Sequence, residues 1–134
     1  MKQVTKLLIN DFKIKQLGFD FMGYKIQKNE TLSFHHLIIP NRNNGAMAYW
    51  NGSILSSDTS HPYLHLIESI DYDIFSYITS EMIDMKIKGY LDLDNIRQIY
   101  TLLEYFEKEH QNKKNTKGKY LIKEKYKEIN RIRL

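Results

Sequence analysis

A chain of 134 residues suffices for one domain with a sizeable core, and 42% apolar with 27% charged residues excludes a disordered chain. With no cysteine there is no disulfide framework, zinc ribbon or thiol nucleophile, so any metal must take nitrogen and oxygen ligands. The net charge is a mild +4, and no apolar run is long enough for a transmembrane or secretory segment, which predicts a cytoplasmic protein with no membrane partner.

In chain order, Val4, Leu7, Leu8 and Phe12 recur at helical spacing, predicting a helix over 3–16 with Gly18 as its stop. Phe19 to Ile26 alternates imperfectly and reads as a short strand or an irregular segment packing its aromatics. After a turn at Asn29-Glu30, an apolar run bounded by Pro40 predicts a buried strand over 31–39 that carries His35 and His36. Residues 40–48 have turn chemistry, and Asn51-Gly52 predicts a tight hairpin turn before a short strand at Ser53–Ser56. Ser57 to Ser60 offers N-caps, and Pro62 suits the first turn of a helix bearing His61 and His65. Two further helices follow. Asp71 or Asp73 caps the first, whose apolar positions run from Ile74 to Met85 and which stops near Gly89. Asp92 and Asp94 start the second, striped by Ile96, Ile99, Tyr100, Leu103 and Phe106.

The end of the chain is basic. Residues 108–134 carry ten Lys/Arg against three Asp/Glu, while residues 1–107 carry ten against thirteen. Asn112 to Gly118 reads as a linker, followed from Lys119 by a basic amphipathic helix with Leu121, Ile122, Tyr126 and Ile129 on one face. Lys113, Lys114, Lys117 and Lys119 are thereby candidate contacts to nucleic-acid phosphates, with a solvated tail as the competing reading.

Four of the five histidines fall between residues 33 and 68. His61 and His65, four apart, share one helix face, whereas consecutive strand residues point to opposite faces, so His35 and His36 cannot both ligate one ion. One strand histidine and two helix histidines would close three sides of a divalent-metal site and leave the rest open. The spare histidine is then a candidate general base. Imidazoles suit Zn²⁺, Mn²⁺ or Ni²⁺ better than Mg²⁺. His110 lies far off in a charged helix end and reads as solvated. Glu68 reads as helix surface or as a partner of a ligand, and Tyr49, Trp50 and Tyr63 read as core.

The order His-His, Asn, His-x-x-x-His resembles the His-Asn-His (HNH) endonucleases and is similar to the nuclease cores of the DNA-degrading colicins. The match spans residues 31–68, with residues 71–112 forming a helical part and 113–134 a basic C-terminal segment of the same domain. The resemblance implies an α+β fold whose ββα-metal core, a two-stranded antiparallel hairpin plus a metal-bearing helix, is embedded in a mostly helical domain. It implies one divalent ion at His35, His61 and His65, His36 as general base, and Asn51 as the residue that orients His36 through its side-chain carbonyl. Arg42 is the nearest match to the family's phosphate-clamping arginine. The implied activity is metal-dependent hydrolysis of DNA phosphodiester bonds, as in small freestanding phage and mobile-element nucleases. The alternative is a non-cleaving ββα-metal module of a phage or mobile element that binds DNA or a host defence protein; a protein partner or homodimer stays open.

Overall fold

The computed structural model describes residues 1–40, 45–122, 126 and 131–134. It is an α+β arrangement of five helices and one two-stranded hairpin: α1 (Gln3–Asp11), α2 (Ile14–Leu17), β1 (Leu32–His36), β2 (Gly52–Ser56), α3 (Ser60–Ile70), α4 (Tyr72–Lys88) and α5 (Leu93–His110). No described helix is long and apolar enough to cross a membrane.

The first helix breaks where the sequence pattern predicts continuity. Phe12 and Ile14 are both buried, yet two residues apart on a helix lie on nearly opposite faces. Lys13 resolves the conflict with a left-handed φ of 55°, so both side chains reach the core, and Gly18 at φ 82° ends α2. Leu7, expected on the apolar face, is exposed, and Ile9 is buried instead.

Residues 19–26 form an irregular segment with one bridge within itself, Phe19 to Lys25. It buries Phe19, Phe21, Met22 and Tyr24 around the fully buried Asp20. That carboxyl accepts from the backbone N–H groups of Met22 (2.9 Å), Tyr24 (3.1 Å) and Ser56 (3.0 Å), and from the Ser60 hydroxyl. One side chain thus ties the segment to the end of β2 and the start of α3. Burial raises its carboxyl above the usual range, against the lowering pull of Ser60 and the three backbone donors.

The hairpin pairs antiparallel from Leu32 opposite Ser56 to His36 opposite Gly52. β1 stops at His36 rather than at residue 39, because the next donors leave the ladder. Leu37 N–H still reaches Asn51 O (2.8 Å), but the N–H groups of Ile38 and Ile39 go to the Asn51 side chain. The Asn51-Gly52 pair is not the tight turn its sequence predicts. A short 3₁₀ turn over Tyr49–Asn51 leads into β2, where Gly52 is extended and faces the Phe34 ring, leaving no room for a Cβ.

The helix boundaries follow their caps. Asp71 accepts from Ile74 N–H (3.2 Å) to start α4, Gly89 at φ 87° ends it, and Asp92 accepts from Asp94 N–H (2.9 Å) to start α5. The inner faces of α3, α4 and α5 (Tyr63, Leu64 and Ile67; Ile78, Met82 and Met85; Ile96, Ile99, Leu103 and Phe106) share one core with Ile54 and Leu55 of β2.

Beyond α5, most of the amphipathic helix expected from Lys119 falls on residues 123–125 and 127–130, which lie outside the described residues. Lys114 bridges to Tyr120 around a turn whose N–H groups at Lys117 and Lys119 are held by Asn115. Ile122 is buried, Tyr126 stacks on Tyr63 with centroids 4.9 Å apart, and Arg131 bridges to Tyr24; Ile129 lies outside the described residues. Buried Glu107 holds this end of the chain, accepting from Arg131 Nη2 (2.5 Å) and from Tyr63 (2.6 Å).

Candidate metal centre

The His35 and His36 side chains leave opposite faces of β1. His36 falls on the Phe34 side, its ring edge-on to Phe34 at 4.9 Å. His35 faces α3, whose first two turns present His61 and His65, stacked with centroids 4.9 Å apart. The three rings bring one nitrogen each to within 4.8 Å of one another, so His35, His61 and His65 lie close enough together to bind a metal ion. His35 Nδ1 lies 3.3 Å from His61 Nε2.

His35 and His61 are held in the form a metal requires. Burial, followed by the neighbouring His61, His65 and His36, pushes the His35 pKa down to about 3. Burial again, with His65 and His36, takes His61 down to about 4. Neutral imidazoles present lone pairs rather than N–H⁺ groups. His35 Nε2 and His36 Nε2 are buried with no partner among the described residues. Such orphaned nitrogens are costly unless a ligand or proton acceptor satisfies them.

Around the histidines opens a cavity of about 480 Å³. Its walls are the four histidines, the apolar and aromatic side chains of Phe34, Leu37, Ile38, Pro40, Tyr72 and Phe75, and Glu68. Polar and apolar groups therefore share one opening, with α4 supplying Tyr72 and also Phe75, which the sequence pattern assigns only to packing.

Two groups contact the outer nitrogens of the helix histidines. Ser33 Oγ lies 2.6 Å from His61 Nδ1, and Glu68 Oε1 lies 3.2 Å from His65 Nδ1. Glu68 therefore belongs to the site and not merely to the helix surface. Ser33 escapes a reading that seeks ligands alone; its signal is its place two residues before His35, on the same strand face.

Asn51 differs from expectation. It is fully buried, and its side chain makes four bonds: Oδ1 accepts from Ile38 and Ile39 N–H (2.9 and 3.0 Å), and Nδ2 donates to Ile39 O and Ala46 O (2.9 and 3.1 Å). An amide with two acceptor and two donor bonds has no capacity left for the His36 ring. It fastens the loop after His36 instead. Lys86 supports the same corner, donating to Tyr49 O and to Gly52 O (2.8 Å), and burial lowers its pKa to about 8.

None of the remaining candidates among the described residues lines the cavity or joins the three-histidine cluster. Arg42 is outside the described residues. Lys113, Lys114, Lys117 and Lys119 are exposed, with Lys114 Nζ 4.7 Å from the Tyr120 ring centroid. His110 is not simply solvated, since its Nε2 lies 3.3 Å from Asp71 Oδ2. Tyr63 is core as expected, but Tyr49 (38% exposed) and Trp50 (53% exposed) are on the surface. Comparison with protein-family models, curated proteins and solved structures finds no match. The HNH resemblance thus rests on the residues themselves.

Proposed function

We propose that the protein is a metal-dependent endonuclease that hydrolyses DNA phosphodiester bonds, with β1, β2 and α3 as a ββα-metal core of the HNH kind. The observation that carries this reading is the convergence of His35, His61 and His65 on the wall of an open cavity that His36 also lines. Three neutral imidazoles fit Zn²⁺, Mn²⁺ or Ni²⁺ better than Mg²⁺, and three protein ligands leave a coordination position open. Held by His35, His61 and His65, one such ion would supply Lewis-acid stabilisation to a phosphate oxygen and to the departing 3′-oxygen.

His36 accepts a proton from the attacking water. An imidazole at the cavity wall with a buried, unpartnered nitrogen supports a working role over a structural one. Asn51 acts at one remove: its backbone carbonyl holds Leu37 N–H and its amide closes the following loop, which fixes the backbone that carries His36. The exposed lysines at 113, 114, 117 and 119 add sequence-blind contacts to phosphates.

The test is cleavage of supercoiled plasmid by the full chain with Zn²⁺, Mn²⁺, Ni²⁺ or Mg²⁺, with and without EDTA. Cleavage with at least one metal, abolished by EDTA, is expected. His36→Ala should lower the rate by about 100-fold or more while keeping metal affinity, and His65→Ala should lose both. Metal binding without cleavage under all four metals supports the non-cleaving alternative. Absence of metal binding overturns both readings.

A further inference from the structure

We propose that Ser33 is a positioning residue for the metal centre, fixing the tautomer of His61 so that Nε2 carries the ligand lone pair. This rests on the metal reading above. Ser33 and His35 are two apart on β1, so both side chains face α3. There Ser33 Oγ lies 2.6 Å from His61 Nδ1 and 3.3 Å from the Leu55 carbonyl oxygen.

A carbonyl can only accept, so the hydroxyl proton goes to Leu55 and the hydroxyl lone pairs turn toward the ring. His61 Nδ1 then holds the ring proton and donates it to Ser33. Nε2 is left bare, and Nε2 is the atom that faces His35 Nδ1 at 3.3 Å. Every donor along the line from His61 through Ser33 to Leu55 has its acceptor. The opposite tautomer puts an N–H where the ion must bind and makes Ser33 abandon Leu55 to donate to Nδ1. Outer groups of this kind set both the tautomer and the basicity of a ligating histidine. Glu68 Oε1 stands in the equivalent place beside His65 Nδ1, one helical turn on.

Long-range proton–nitrogen correlation spectra of the metal-free full chain report which nitrogen of His61 bears the proton, and calorimetry reports zinc affinity. Wild type should show the Nδ1–H form. Ser33→Ala should lose that preference and weaken zinc binding about 10- to 100-fold. Its melting temperature should stay close to wild type, because only one half-buried hydroxyl is removed. Ser33→Thr restores a hydroxyl and should recover both readouts. A wild-type spectrum showing the Nε2–H form overturns the proposal even where a variant folds poorly. So does Ser33→Ala with zinc affinity indistinguishable from wild type. Failure of the metal reading looks different: wild type itself then binds no zinc, and the positioning role falls with it.

Discussion

His35 is a buried imidazole that the fold keeps neutral. Its pKa of about 3 lies below the ordinary 6.5, so the unfolded chain binds a proton that the folded chain refuses. The sign follows: this contribution to stability is complete above about pH 6.5 and is lost progressively as pH falls toward 3. His61, lowered to about 4, acts in the same direction. Thermal melts of EDTA-treated protein should therefore show a midpoint that falls through this acid range. His35→Leu removes the larger of the two contributions and should flatten the dependence without abolishing it. An unchanged slope in that variant would show that acid sensitivity arises elsewhere.

Among the elements, α3 matters most because its first turn must meet β1 in one register. Asp20 sets that junction, binding Ser56 N–H at the end of β2 and the Ser60 hydroxyl immediately before His61. Asp20→Ala removes the acceptor of two buried backbone donors, Met22 and Tyr24 N–H, and of the Ser60 hydroxyl, while Ser56 N–H keeps Ser60 Oγ at 2.9 Å. Orphaned buried donors each carry a desolvation penalty, so the variant should lose roughly 3 kcal/mol or more in urea unfolding. It should also bind zinc more weakly, because His61 loses its anchored neighbour. Wild-type stability in this variant would mean that water replaces the carboxylate. Asn51 plays the matching part on the other side of the hairpin, where one amide ends β1 by taking the N–H groups of Ile38 and Ile39.

At the scale of the whole molecule, the basic end of the chain is not a free tail. Arg131 pairs with buried Glu107, and Ile132 N–H reaches Gly23 O (3.1 Å) and Tyr100 Oη (2.9 Å). Truncation at Lys113 would strand the Glu107 charge in the core and confuse lost folding with lost binding. Replacing Lys113, Lys114, Lys117 and Lys119 with Gln leaves those interactions intact, since all four side chains are exposed. The variant should melt like wild type. If the lysines meet DNA phosphates, the slope of log affinity against log salt should shrink by about 0.9 for each phosphate they neutralise. Fluorescence anisotropy across a salt series measures it, and an unchanged slope would remove these lysines from the interface.

Much of the local order was legible in the chain. The i, i+4 spacing of His61 and His65 places them on one helix face, and strand alternation separates His35 from His36. Asp71, Gly89 and Asp92 mark helix ends through caps that need only neighbouring residues. What the sequence left open depends on partners distant along the chain. Asn51 reads as a turn residue until its amide meets Ile38 and Ile39, twelve or more positions away. Ser33 reads as an ordinary strand serine until α3 brings His61 against it, 28 positions on. Periodicity determines which face a side chain occupies, but only the packed structure decides what stands opposite that face. The three-histidine cluster draws on both: its members were visible as residue types at set spacings, and their convergence came from the docking of α3 on β1.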